Sequence, residues 1–284
     1  MNQEKKPSRP ERKQPLAALL AQQGLFDTSD EARRWIMAGQ VLVNDQRIDK
    51  PGTLVSPDAV LRVLGRHRYA SRGGYKLEAA LEYFRVDVTG QTALDCGAST
   101  GGFTDCLLQH GASLVYAVET GYGQLTGRLR ADPRVRNLER TNLGDPRLHT
   151  LDPLPTLITL DLSYLSLTKA LPLAAPLLAP AGHTLALLKP LFEVESAEAR
   201  RTGQIDDPAL LIAALRRVLD AGTTAGLRPL GATKLALQPR HGVTEFFVHF
   251  TCDLQQQSWR YTDTMLATIV RDHGVGKSEE TENE

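Results

Sequence analysis

From Gly90 onward the chain alternates short leucine- and valine-rich runs with helical segments, and this alternation constrains its fold more than any other feature. Strands are expected at Thr92–Leu94, Leu114–Val118, Val135–Leu138, Leu157–Leu160, Thr184–Leu188, Arg228–Lys234 and Phe246–Thr251. A helix is expected from Gly74 through Leu77, Ala80, Leu81 and Phe84. Another follows Asp207, which can cap it, with Pro208 at the first helical position. Such alternation predicts an α/β domain with a mostly parallel sheet and helices on both faces. Ligands of such sheets gather at the carboxyl ends of the strands.

The first of these strands runs into a glycine-rich turn, Asp95-Cys96-Gly97-Ala98-Ser99-Thr100-Gly101-Gly102-Phe103. Glycines there let the backbone approach a ligand closely where the chain enters a helix. Three readings compete. A dinucleotide site needs Gly-x-Gly-x-x-Gly, but Ser99 stands two residues after Gly97. A nucleophile elbow needs Gly-x-Ser-x-Gly, which Gly97 to Gly101 satisfy. That turn usually follows several strands and a His-Gly-Gly-Gly segment, and neither precedes this one. An S-adenosylmethionine site needs an acid at the strand end, glycines in the turn, and a second acid on the next strand for ribose hydroxyls. Asp95, the glycines and Glu119 supply all three.

Asp161 and Lys189 also stand at the ends of expected strands, and Lys189 is followed by Pro190. The Asp/Asn-Pro-Pro-aromatic segment common in enzymes that methylate base amines is absent: Leu162-Ser163-Tyr164 follow Asp161. A ribose hydroxyl is a weak nucleophile and benefits from a base. A lysine can serve where burial or a second cation favours its neutral form. Lys189 beside Lys76, with Asp161 and Glu245 to orient them, fits that chemistry. Singly, each of these residues would most often be a surface ion pair.

The amino-terminal part has a different character. Residues 1–13 are polar and proline-containing and read as a disordered basic arm. Leu16, Leu19 and Leu20 recur at helical spacing before Gly24. Thr28-Ser29-Asp30-Glu31 has capping-box spacing ahead of Ala32, Trp35 and Ile36. Val41-Leu42-Val43, a turn at Asn44-Asp45-Gln46, and Ile48 read as a hairpin, with a further strand at Val60–Leu64. Arg66 to Arg72 form a basic linker. The division is therefore arm 1–13, small α+β module 14–65, linker 66–73, α/β domain 74–252 and a carboxyl-terminal extension with an acidic tail, 253–284.

Charge and cysteine content narrow the function classes. Lys+Arg and Asp+Glu balance at 33 each, yet residues 1–70 hold twelve basic against eight acidic side chains. The basic front suits phosphate contacts, from Lys5, Lys6, Arg9, Arg12 and Lys13 of the arm as well as from the module. Cys96, Cys106 and Cys252 have no metal-ligand spacing, so no metal is expected, and an odd, unpatterned set fits a reducing, cytoplasmic setting. Met1 to Lys13 lack the apolar core of a signal peptide, and no apolar run is long enough to span a bilayer.

Several long stretches carry a resemblance. They are Ser71 to Ala80, Asp95 to Leu108, Tyr116 to Leu125, Arg140-Thr141-Asn142 and Leu188-Lys189-Pro190-Leu191-Phe192-Glu193. In these the chain resembles the TlyA (hemolysin-A-like) family over about residues 14–252. Those are ribosomal RNA 2′-O-ribose methyltransferases in which an S4 RNA-binding domain precedes a Rossmann-like, FtsJ-like methyltransferase domain. The resemblance implies a catalytic tetrad of Lys76, Asp161, Lys189 and Glu245. It implies S-adenosylmethionine held around Asp95, Gly97, Ala98, Ser99, Gly101, Gly102, Phe103, Glu119 and Asn142. It points to Arg33, Arg34, Asn44, Arg47, Lys50, Arg66, Arg68 and Arg72 as RNA contacts, with ribosomal RNA or a ribosomal subunit as partner and cytidine as target.

The chain departs from the family where Pro15-Leu16-Ala17 replaces Arg-Leu-Asp, Thr28-Ser29-Asp30 replaces Ser-Arg-Glu, and Thr244 stands for an asparagine. Two other readings remain open at this point. One is an RNA-binding protein whose α/β domain binds cofactor without turnover. The other is a membrane-lytic protein, suggested only by the family's name.

Overall fold

The computed structural model describes residues 12–23, 25, 26, 28–65, 68–236 and 244–275. The arm expected at 1–13 lies outside the described residues except for Arg12 and Lys13. So do Gly24, Arg66 and the acidic tail. Contacts divide the chain into two units, 1–68 and 69–284.

In the first unit, β1 (Gln14–Pro15) leads into α1 (Leu16–Gln22), and α2 (Ser29–Met37) follows. The Thr28 hydroxyl accepts from the Glu31 N–H at 3.1 Å, so the expected cap forms. Gly39, at φ 67°, turns the chain out of α2. β2 (Val41–Val43) and β3 (Gln46–Ile48) form the hairpin, with Asn44 and Asp45 both at positive φ as a two-residue type I′ turn requires. β4 (Leu54–Val55) pairs with β1, and β5 (Leu61–Val63) pairs with β2. The β1–β4 bridge is too short to leave a periodic signal in the sequence. Leu16, Leu19, Leu20, Phe26, Ala32, Ile36, Val41 and Val55 form this unit's own core.

The second unit opens with α3 (Gly73–Phe84) and continues as β6 (Thr92–Cys96), α4 (Gly102–Gln109), β7 (Leu114–Glu119), α5 (Gly127–Ala131), β8 (Val135–Glu139), β9 (Leu157–Leu160) and α6 (Leu167–Ala174). It is completed by β10 (His183–Leu188), the short α7 (Pro190–Glu193) and α8 (Ala197–Thr202), α9 (Pro208–Thr224), β11 (Arg228–Lys234), β12 (Phe246–Thr251) and α10 (Asp263–Arg271). Asp207 caps α9 through a 2.8 Å bond from the Ala209 N–H. The seven strands lie in the order β11-β12-β10-β9-β6-β7-β8. All neighbours from β10 to β8 are parallel, while β12 is antiparallel to both β10 and β11. The reversal has a simple cause. Only residues 235–245 join β11 to β12, fewer than the roughly dozen or more that a parallel crossover needs.

Strand residues alternate between two cores, as period-2 side chains must. Leu94, Cys96, Ala186, Leu188, Phe246 and Val248 join α6, α9 and α10 on one face. Ala93, Leu185, Leu187 and Phe247 join α3 and α4 on the other. Phe246, Phe247 and Phe250 are fully buried and contribute roughly 2–3 kcal/mol each through burial.

One expected boundary needs correction. The linker read at 66–73 is not free along its length. Tyr69 is buried, and its hydroxyl donates to Glu78 at 2.8 Å. The Ala70 N–H donates to the buried Asp105 carboxylate at 2.8 Å. The second unit therefore begins at Tyr69, and α3 begins at Gly73. A single apolar ring among arginines gave no periodic pattern to reveal this.

Candidate active site

The chemistry-bearing residues collect where the parallel strands end. Asp95 closes β6, yet it has no exposed surface. Its carboxylate accepts from the Thr104 hydroxyl at 2.6 Å and from Thr159 at 3.0 Å. Burial raises its pKa to about 6, with the two threonine bonds opposing and the nearby Asp161 charge assisting. Asp95, which the resemblance implied as a cofactor contact, thus braces the turn from beneath.

The glycines of the turn are likewise explained by the protein's own packing. Gly97 (φ 89°) lies so close to the Asp161 carbonyl oxygen that a Cβ would collide with it. Gly101 (φ 102°) faces Leu125 and Leu129, and Gly102 faces Ser71 and the Gly74 N–H. Phe103 is buried in the core and stacks on Phe247 at 6.0 Å, so it too offers no ligand surface, and Ala98 is buried. What the turn presents outward is Ser99 and Thr100, with Gly97 half-buried. Ser99 adopts φ 49°, and its N–H donates to Glu119 Oε2 at 2.9 Å.

Glu119 ends β7 and gathers the loops around it. Its Oε1 also accepts from the Gly121 N–H at 2.8 Å and the Thr120 hydroxyl at 3.1 Å. An ionised carboxylate offers about four acceptor positions, so this one keeps accepting capacity beyond the loops it ties. Asn142, past the end of β8, is exposed, and its side-chain oxygen accepts from the Gly144 N–H at 2.9 Å. Tyr164, unremarked in the sequence, is half exposed at the same mouth. Burial raises its pKa, the Glu119 charge pushes the same way, and the Leu143 backbone opposes.

Two lysine–carboxylate pairs complete the arrangement. Lys76, on α3, places Nζ 2.5 Å from Glu245 Oε2. Lys189, just past β10, places Nζ 2.5 Å from Asp161 Oδ1. All four side chains are less than a quarter exposed. Neither carboxylate oxygen is aligned with its lysine as a hydrogen bond, so both contacts are charge contacts. Lys189 Nζ also donates to the Ser163 hydroxyl at 3.0 Å and the Leu162 carbonyl at 3.2 Å. These fix it at the mouth of the turn, since Gly97 packs on Asp161.

Glu245 reaches this place because β12 runs backwards. Leu188 and Phe246 are register partners, and continuing that register by one residue sets Glu245 opposite Lys189. Another acid the sequence did not single out is Asp105. Buried on α4, it accepts from Arg128 at 2.6 Å, from Gln109 and from the Ala70 N–H.

Most of the residues read as RNA contacts belong to the first unit. Arg33, Arg34, Asn44, Arg47 and Lys50 are exposed in the first unit. Arg33 lies 3.8 Å from Asp30, and the Asn44 side-chain oxygen is occupied by the Val60 N–H at 2.9 Å. The Arg47 chain lies along Gly39 at the end of α2. Arg68 is exposed at the end of the first unit, and Arg72 is half-buried where α3 begins. Arg66 lies outside the described residues. Among the described residues there is no group of three or more His, Cys, Asp or Glu able to hold a metal ion.

Comparison with known proteins agrees with this division. Residues 69–252 match the FtsJ-like methyltransferase family and residues 14–61 match the S4 domain. A Bacillus subtilis protein, provisionally named rRNA methyltransferase YqxC, is 41% identical over 241 residues, covering 84% of this chain and 85% of that protein. The Mycobacterium tuberculosis protein named 16S/23S rRNA (cytidine-2′-O)-methyltransferase TlyA is 36% identical over 233 residues, covering 81% and 87%. A Streptococcus thermophilus structure, provisionally described as a hemolysin, superposes with a TM-score of 0.67 at 36% identity, covering 91% of this chain and 94% of that one.

Proposed function

This chain belongs to the TlyA family, S4-bearing members of the FtsJ-like methyltransferases, and from that premise we propose that it transfers a methyl group from S-adenosylmethionine to a ribose 2′-hydroxyl of ribosomal RNA. The observation that carries the reading is the pair of ion pairs, Lys76–Glu245 and Lys189–Asp161, at one end of the sheet. The nucleoside we assign is cytidine, the one in the M. tuberculosis relative's name.

The residues present suit the cofactor. The outward backbone of Ser99 and Thr100, the spare accepting capacity of Glu119, the exposed Asn142 and the half-exposed Tyr164 ring give a polar rim with one aromatic face. We assign Gly97, Ser99, Glu119 and Asn142 to hold it, with Asp95, Ala98, Gly101, Gly102 and Phe103 maintaining the turn. When bound, S-adenosylmethionine supplies a methyl group on a positively charged sulfur.

The chain's own side chains do the rest. Lys76 Nζ and Lys189 Nζ are donors for the ribose oxygens, and their carboxylates hold them in place. Held by Gly97, Ser99, Glu119 and Asn142, the cofactor would supply the methyl and leave as a neutral thioether that keeps the bonding pair. We assign Lys189 Nζ to receive the hydroxyl proton, with Asp161 2.5 Å away to stabilise the ammonium that results. The S4 unit contributes exposed Arg33, Arg34, Arg47 and Lys50 as phosphate contacts. No helix of the described residues is long and apolar enough to cross a membrane.

The test is incubation of the protein with methyl-labelled S-adenosylmethionine and separated, unmodified 30S and 50S subunits. The expected product carries label on a ribose, seen as a dinucleotide resistant to alkali. Label on a base, or binding of cofactor and RNA with no transfer to either subunit, would refute the reading.

A further inference from the structure

Residues 259–275 lie beyond the part of the chain that matches the FtsJ-like family, which ends at residue 252. They nonetheless pack onto the catalytic unit at both ends. The Trp259 N–H donates to the Pro229 carbonyl at 2.7 Å, and the Tyr261 hydroxyl meets Asp220 at 2.5 Å. Arg216 pairs with Asp263, and Leu266 and Val270 of α10 are buried in the core shared with α9. At the far end, Val275 forms a parallel bridge with Leu235, just past β11. The Val275 N–H donates to the Lys234 carbonyl at 2.8 Å, and Val275 accepts from the Ala236 N–H at 2.8 Å. Lys234 Nζ donates to the Val270 carbonyl at 3.1 Å.

The clamped residue is one step from the active site. The Leu235 N–H donates to the backbone carbonyl of Glu245 at 2.9 Å. Leu235 thus makes two links: Val275 bridges it on one side and Glu245 accepts from it on the other. Gly274 makes the approach possible. At φ 84° it lies so close to the backbone of Lys234, Leu235 and Ala236 that a Cβ would sit 2.7–2.8 Å from three of their atoms.

We propose that residues 259–275 are part of the active-site scaffold, a clamp that fixes the end of β11 and, through the Leu235–Glu245 bond, positions Glu245 against Lys76. Gly274 and Lys234 are then positioning residues for transfer. The role given to Glu245 rests on the proposed function, while the clamp itself does not.

Two variants of the full chain test this. Gly274→Val crowds the backbone of Lys234, Leu235 and Ala236, and Lys234→Met removes the bond to Val270 while keeping the alkyl packing. Hydrogen exchange is read first. Faster exchange is expected at Leu235 and at 246–251, with 92–103 unchanged. Unchanged exchange around Leu235 in both variants would overturn the clamp. Transfer is read second, in wild-type and Glu245→Gln backgrounds. We expect a roughly 10-fold loss of kcat in the first background, little further loss in the second, and an unchanged cofactor dissociation constant, because groups that act through one another are not additive. An equal loss in both backgrounds would overturn the route through Glu245. A wild-type protein that methylates no RNA would refute the proposed function, and the exchange result would still decide the clamp.

Discussion

Phe246 on β12 is the register partner of Leu188 on β10, and this one antiparallel pairing carries Glu245 to the strand ends where Lys189 waits. On a parallel strand, the residue preceding Phe246 would emerge at the opposite ends of the strands. Lys76, from α3, then meets Glu245 at 2.5 Å. Removing one partner of such a largely buried pair leaves an uncompensated charge. Lys76→Met and Glu245→Gln should each lower kcat by about 10²–10³-fold, the usual cost of losing a positioned polar group. The double variant should lose less than the product of the two. Multiplicative losses in steady-state kinetics would show that the residues act independently.

Gly97 carries a second prediction. Gly97→Ala sets a Cβ against the Asp161 carbonyl and strains a φ of 89°. The left-handed conformation alone costs about 1–2 kcal/mol, and displacement of Asp161 should take transfer down with stability. Gly90→Ala, at φ 70° with open space around its Cβ position, should pay the strain alone. Thermal unfolding and activity measured together separate the two. Full activity in Gly97→Ala would contradict the packing argument.

Asp95 makes stability depend on pH. Its pKa rises from 3.8 unfolded to about 6 folded because it is buried. Between those values the folded chain binds the extra proton, so stability is fully present below pH 3.8 and is lost as pH rises through 6. Asn cannot titrate. Relative to Asp95→Asn, the wild type should therefore lose roughly 2–3 kcal/mol between pH 4 and pH 7. Denaturant unfolding across that range checks it, and a constant difference would show that Asp95 is ionised throughout.

The first unit should bind RNA through charge. Arg33, Arg34 and Arg47 are exposed, and Arg33 has only the distant, exposed Asp30 as a described ion-pair partner. Replacing Arg34 and Arg47 by Ala should reduce the slope of log affinity against log salt by about one per lost phosphate contact. The cofactor dissociation constant should not change. An unchanged salt slope would remove these residues from the RNA interface.

The strands of the second unit were legible because each is a buried run bounded by turns, and the Thr28 cap and the Asn44-Asp45 hairpin carried local chemistry of their own. Lys189 and Asp161 were legible from their places at strand ends. The reversal of β12 was not, since strand direction depends on what connects β11 to β12 and not on any side chain. The burial of Asp95 and Phe103 was not legible, because a motif position does not say which way a side chain turns. Both point into the protein. Tyr69 and Asp105 were hidden for a different reason: their meaning lies in contacts that the segment before α3 makes with α3 and α4.

Lys189 offers the most direct measurement. Wild-type protein and Lys189→Ala would be given labelled S-adenosylmethionine and the same unmodified ribosomal subunits, with cofactor affinity measured on each. The structure places Lys189 Nζ against Asp161, Ser163 and the Leu162 carbonyl, outside the loops that Glu119 ties together. Equal cofactor affinity is therefore predicted, with alkali-resistant ribose label at least about 100-fold lower in the variant. Equal labelling by the two proteins would contradict the assignment of proton transfer to Lys189, and with it the central claim.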